Sequence, residues 1–253
     1  LAFVGIGGAY VLSAVMSFVS LVQIWRLPHR AAVDSTPRNP ITEIRAGVSY
    51  VNSDRRLRRI VVSSFFVIMF GFNYVAFIPA LVEGIFDLGD IYVGLISSAS
   101  AIGAVAVSLP LAAKADGPGG KRIMVISGIG FGVGVMLLGL APTIWLSFLV
   151  VIGIGGCTTG FQSLSNTLAL SSSSDEMQGR VQSLMQLSFA GFGIAAAPIG
   201  ALAEAIGLRP TLVIMGGIAT SATVIFYLLE LRDDRSSGPV LMTGRPAEVS
   251  SCQ

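Results

Sequence analysis

Five amide side chains, Asn73, Gln162, Asn166, Gln182 and Gln186, stand inside otherwise apolar stretches of this sequence. An amide offers a donor and an acceptor without carrying charge. It can therefore orient a polar ligand or tie helices together across hydrocarbon, but it cannot carry a proton. Asn73 and Tyr74 lie close to Phe66, Phe70 and Phe77, which offer an apolar or stacking surface. Gln182, Gln186 and Phe189 follow one another at spacings of four and three and so share one helix face. For each amide, helix packing and cavity lining are both open readings. No Asp, Glu, Lys, Arg or His falls near the middle of an apolar stretch, which leaves no obvious intramembrane proton relay or counter-ion. A catalytic site would need a clustered nucleophile and base, or metal ligands. His29 is the single histidine and has no partners nearby, and Ser171 to Ser174 read as a loop. No catalytic residue, metal or cofactor is expected.

The elements that must position these groups are membrane helices. Only 12% of residues are charged and 53% are hydrophobic, against roughly a quarter charged in a soluble domain. Apolar runs of about 18 to 25 residues recur, the length needed to cross a hydrocarbon core of about 30 Å. Seven spans are expected: Gly8 to Trp25, Ile60 to Val82, Tyr92 to Ala113, Ile123 to Leu140, Ile144 to Asn166, Val181 to Ala203 and Leu208 to Leu231. A net charge of +2 gives no reason to expect a nucleic-acid partner. Cys157 and Cys252 suggest no disulfide framework.

Basic residues mark alternate connections. Eight arginines, Arg26 to Arg59, lie between the first two spans. Lys114, Lys121 and Arg122 lie between the third and fourth, Arg180 between the fifth and sixth, and Arg232, Arg235 and Arg245 after the seventh. The other connections hold Glu83, Asp87, Asp90 and Glu204, with Arg209 their one basic residue. The positive-inside rule then puts the chain start outside and the C-terminus in the cytoplasm. Asn39 and Pro40 predict the start of a helix in the long connection. Ile41, Ile44, Val48 and Val51 would form its apolar face, lying on the membrane surface. Residues 1–26 are read as the last helix of a preceding half, 27–58 as a central cytoplasmic loop, 59–232 as a six-helix body and 233–253 as a disordered tail. Leu1 to Val4 do not read as a signal peptide, and the chain is expected to begin inside a larger protein.

A shift of 88 positions lays Pro110 to Gly128 on Pro198 to Gly216. Pro110, Ala113, Ala115, Gly119, Val125, Ile126 and Gly128 meet identical residues. The shift covers three spans, an odd number, so matched loops face opposite sides, as in the inverted three-plus-three repeats of secondary transporters. Gly128, Gly130, Gly132 and Gly134 alternate through one span, and Gly156 and Gly160 form a small-xxx-small pair in the next. These glycines read as close helix contacts. They lack the strand and turn that a dinucleotide fingerprint needs. Asp116, Gly119, Lys121 and Arg122 form a tight inner turn that, with Arg180, could act as a latch differing between inward-open and outward-open states. A capped turn that only fixes topology is the simpler alternative.

Several local patterns resemble the major facilitator superfamily, and within it the branch similar to the bacterial enterobactin exporter. They are Gly8-Ala9-Tyr10 with Ser17-Phe18 and Arg26-Leu27-Pro28; Glu43, Gly47, Tyr50, Val51, Leu57 and Arg58; Gly179-Arg180-Val181; and Asp116 with Gly119, Lys121 and Arg122. Gly120 stands where that family often has a basic residue. The resemblance implies an all-α integral membrane protein of a bacterial plasma membrane: helix six, the central loop and the C-terminal six-helix half, a 3+3 inverted repeat. It further implies a missing N-terminal half of the same protein, and export of a small amphipathic molecule, siderophore- or drug-like, by proton-coupled alternating access. The partners would be the lipid bilayer and that small-molecule substrate. A seven-helix receptor is the alternative, though the last span lacks the Lys a retinal protein would need.

Overall fold

The computed structural model describes residues 5–26, 40–112, 119–174 and 176–236, and every regular element among them is helical. The elements are α1 (Gly5–Trp25), α2 (Pro40–Ser53), α3 (Arg55–Phe66), a π-helical turn (Val67–Gly71), α4 (Tyr74–Gly84), α5 (Asp90–Ala112), α6 (Gly120–Leu140), α7 (Ile144–Ser171), α8 (Gln178–Ile206) and α9 (Leu208–Ser236). Six stretches are long and apolar enough to cross a bilayer: Arg55–Gly84, Asp90–Leu111, Gly120–Leu140, Ile144–Ser171, Gln178–Ile206 and Leu208–Arg232. α1 contributes a shorter apolar stretch, Tyr10–Gln23. Its Tyr10, Phe18 and Trp25 are exposed, as suits a helix covered by lipid.

The expected Ile60 to Val82 span is neither so short nor so regular. It begins at Arg55, because Asp54 caps it by accepting from the amides of Arg56 (2.8 Å) and Leu57 (3.2 Å). Arginines at a helix start also reach the interface along their aliphatic stems. The span is then interrupted by the π turn and by Phe72 and Asn73 before α4 resumes. A Cβ on Gly71 would strike the ring of Phe131, so the interruption lies where the chain passes closest to α6. The last helix continues through Ser236, into residues read from sequence as tail. Helix α2 does begin at Pro40, whereas Asn39 lies outside the described residues. Ile44 and Val48 of its expected apolar face are exposed, while Val51 is buried. α2 packs on α3 and α8, with Gly47 set against Arg180 and Leu184.

The inverted repeat extends over the whole six-helix body. Asp90 and Gln178 start α5 and α8, Gly120 and Leu208 start α6 and α9, and both pairs are separated by the shift of 88 found in the sequence. Packing partners exchange in the same way. α5 lies on α7 as α8 lies on α3 and the π turn, α6 lies on α7 as α9 lies on α3 and the π turn, and α6 and α9 pack on each other. Gly207, at φ 91°, makes the short α8 to α9 connection, a conformation open to glycine without strain.

The alternating glycines of α6 serve two interfaces. A Cβ on Gly128 or Gly132 would meet Thr223 or Thr220 of α9, and one on Gly130 or Gly134 would meet Cys157 or Ile154 of α7. Residues two apart point to opposite flanks of a helix, so one run of glycines lets two neighbours approach. Gly132 and Gly216 bring backbone against backbone across the α6 to α9 contact. Gly156 and Gly160 close in the same manner on Val107 of α5 and Ser127 of α6.

Candidate functional site

Helices α3, α7 and α8 and the π turn enclose a cavity of about 170 Å³ lined by Ser64, Ile68, Phe161, Gln162, Ser165, Asn166, Met185, Gln186 and Phe189. Gln162 and Asn166 are one turn apart on α7, and Gln186 and Phe189 are three apart on α8, so two helix faces converge on one space. Ser64 Oγ, Ser165 Oγ and Gln162 Nε2 are buried there without a hydrogen-bond partner. Buried polar groups are nearly always paired. Leaving one unpaired costs roughly 1–3 kcal/mol, so these atoms are arranged to meet water or a ligand. Among the described residues, no charged side chain lines the space. It suits an uncharged moiety with both donors and acceptors.

One wall is aromatic and firmly held. Phe189 packs edge-on against Phe72, with centroids 6.0 Å apart; Phe72 packs against Phe131, and Phe131 against Tyr74 at 6.1 Å. Such edge-to-face pairs are worth about 0.5–1.5 kcal/mol each beyond burial. Gln182 belongs to the same face of α8 but does not line the cavity, although its Oε1 is buried without a partner.

The candidates on the second span are placed elsewhere. Asn73 is buried, and its Nδ2 donates to the carbonyls of Met69 (2.7 Å) and Phe192 (3.3 Å), tying the interrupted helix to α8. Tyr74 is in the core, and Phe77 packs against that core. Phe66 and Phe70 stack on each other at 6.2 Å. Phe66 is exposed and does not reach the amide cavity. Helical geometry explains the division. Phe66 lies two residues from the lining Ser64 and so points to the opposite flank of α3.

The inner-turn cluster gains an acid that the sequence reading did not assign to it. Asp116 lies outside the described residues, and Gly119 precedes α6 without capping it through a side chain. Lys121 Nζ meets Glu230 Oε1 at 2.5 Å, with Arg56 Nε at 3.7 Å and Arg59 Nη1 at 3.8 Å from the same carboxylate. The Glu230 side chain is only 7% exposed. Arg59 Nη1 also donates to the carbonyl of Leu229 at 3.0 Å. Three arginines in the first turn of α3, Arg55, Arg56 and Arg58, oppose that helix's dipole, and the Glu230 carboxylate beside Arg56 offsets part of that charge. It also places the turns at Arg56 and Lys121 at one end of the bundle. Arg122 is exposed, and Arg180 belongs to the α2 to α8 contact, its Nη1 3.1 Å from Met177 Sδ. Glu230 escaped the sequence reading because an acid near a span end looks like a topology residue; its spacing from Arg232 gives no hint of Lys121.

A family model described as Major Facilitator Superfamily matches residues 1–198 and, in a second alignment, 60–249. No curated protein matches the chain.

Proposed function

The chain belongs to the major facilitator superfamily of membrane transporters, and from that premise we propose that it forms one half of a secondary exporter. The substrate is a small amphipathic molecule, siderophore- or drug-like, moved outward by proton-coupled alternating access across a bacterial plasma membrane. The observation that carries this reading is the uncharged cavity between α3, α7 and α8, with its unpaired Ser64, Gln162 and Ser165 atoms. Its amides would hold the polar part of the substrate, and Phe189 would offer its ring to the apolar part. At about 170 Å³ the space is below the roughly 300–1,000 Å³ of a complete small-molecule site. A second six-helix half, preceding this one in the same protein, would supply the facing wall and the proton-carrying residues. The chain start would lie outside and the C-terminus in the cytoplasm.

The Glu230 cluster would join the inner turn of Asp116, Gly119, Lys121 and Arg122 in the latch at the cytoplasmic end, holding α3, α6 and α9 together in one state of the cycle. The family match leaves the seven-helix receptor reading without support.

Transport by the full-length protein in proteoliposomes under an imposed pH gradient, across siderophores and lipophilic drugs, tests the reading. Gradient-dependent flux is expected, and Gln186→Leu is expected to lower it without lowering membrane insertion. No flux of any of them would remove the exporter assignment, and unchanged flux in Gln186→Leu would remove that face of α8 from the cavity.

A further inference from the structure

We propose that the exposed ridge of α3 is a binding site for an anionic glycerophospholipid, with the phosphate on Arg58 and one acyl chain in the apolar groove on each side. Arg58, Val62 and Phe66, at successive spacings of four, form the ridge and line both grooves. The first groove, about 790 Å³, runs between α3 and α9 past Ile218, Ala222 and Leu229. The second, about 260 Å³, runs between α3, α2 and α8 past Val51, Leu184 and Leu187. Two apolar troughs that share one cationic head match a molecule with two hydrocarbon chains and one phosphate.

Three further observations favour this occupant. Arg58 is exposed and makes one long contact, from Nη1 to the Asn52 carbonyl at 3.4 Å, which leaves most of its five N–H donors for a phosphate. Each groove also holds a buried serine hydroxyl with no hydrogen-bond partner, Ser63 in the first and Ser188 in the second. Ser63 lies about 7.5 Å along the helix from Arg58, where the ester carbonyls of a lipid would sit below its phosphate. The helix start around Arg58, residues 54–59, carries four basic residues against one acidic one, so this rim prefers an anion.

Native mass spectrometry of the purified protein with equimolar phosphatidylglycerol and phosphatidylcholine of matched chains tests this. Preferential retention of phosphatidylglycerol is expected, falling about fivefold in Arg58→Gln and holding in Arg122→Gln, which removes an exposed charge that lines neither groove. Ile218→Trp, which fills the first groove, should lower retention of both lipids, with a monodisperse, helical protein as the check on folding. Equal retention of the two lipids, an equal loss in Arg122→Gln, or no loss in Arg58→Gln would overturn the proposal.

Discussion

Replacing Glu230 with Gln keeps its volume and removes the carboxylate that Lys121, Arg56 and Arg59 meet. Removing one partner of a fully buried ion pair costs about 3–5 kcal/mol, because a charge is left unpaired. Here the cations retain water. Arg56 is 52% exposed and contributes close to nothing after screening, while Lys121 and Arg59 are 29% and 17% exposed. A loss of about 2 kcal/mol follows for the state that contains the cluster, a shift of about 30-fold in its population. Two measurements check it. The unfolding midpoint in mixed micelles should fall, and a double-mutant cycle with Lys121→Met should give a coupling of about 1–2 kcal/mol. If the cluster is also the latch, the alkylation rate of a cysteine introduced at Gln186 should change in Glu230→Gln. Additive effects of Glu230→Gln and Lys121→Met would refute the energetic argument, and an unchanged alkylation rate would refute the latch.

The close helix contacts predict a contrast between glycines. Gly132→Ala should cost about 1–3 kcal/mol in thermal unfolding, because its Cβ would strike Thr220 and the Gly216 carbonyl, whereas Gly153→Ala, with open space around it, should be neutral or gain up to about 1 kcal/mol. Asn73→Ala should lower the unfolding midpoint by an amount equivalent to about 0.6–1.7 kcal/mol while lowering substrate affinity less than Gln162→Leu does, measured by ligand binding to the purified protein. Cysteines placed at Ser53 and Gly119 should be labelled from the same side of the membrane and one at Glu83 from the other, read by impermeant maleimide in intact cells and inverted vesicles.

Much of the fold could be read because membrane helices announce themselves through length and apolar content, and because an inverted repeat leaves a fixed offset between matching residues. The offset of 88 anticipated where α8 and α9 begin from where α5 and α6 begin. The π turn left no such trace. Val67 to Gly71 is an unbroken apolar run, and its packing on Phe131, α8 and α9 joins segments distant in the sequence. The site was legible one helix at a time. Gln186 and Phe189 could be placed on a common face by spacing alone, but only packing shows that this face meets Gln162 and Asn166, and that Asn73 directs its Nδ2 to Met69 and Phe192.

The α6 to α9 contact brings the main chains of Gly132 and Gly216 together. Long side chains absorb small displacements by changing rotamer, and a seam made of glycine has none to change. These two helices therefore form a keel, and the break in the regular helix at residues 67–73 lies beside it, next to the amide chamber.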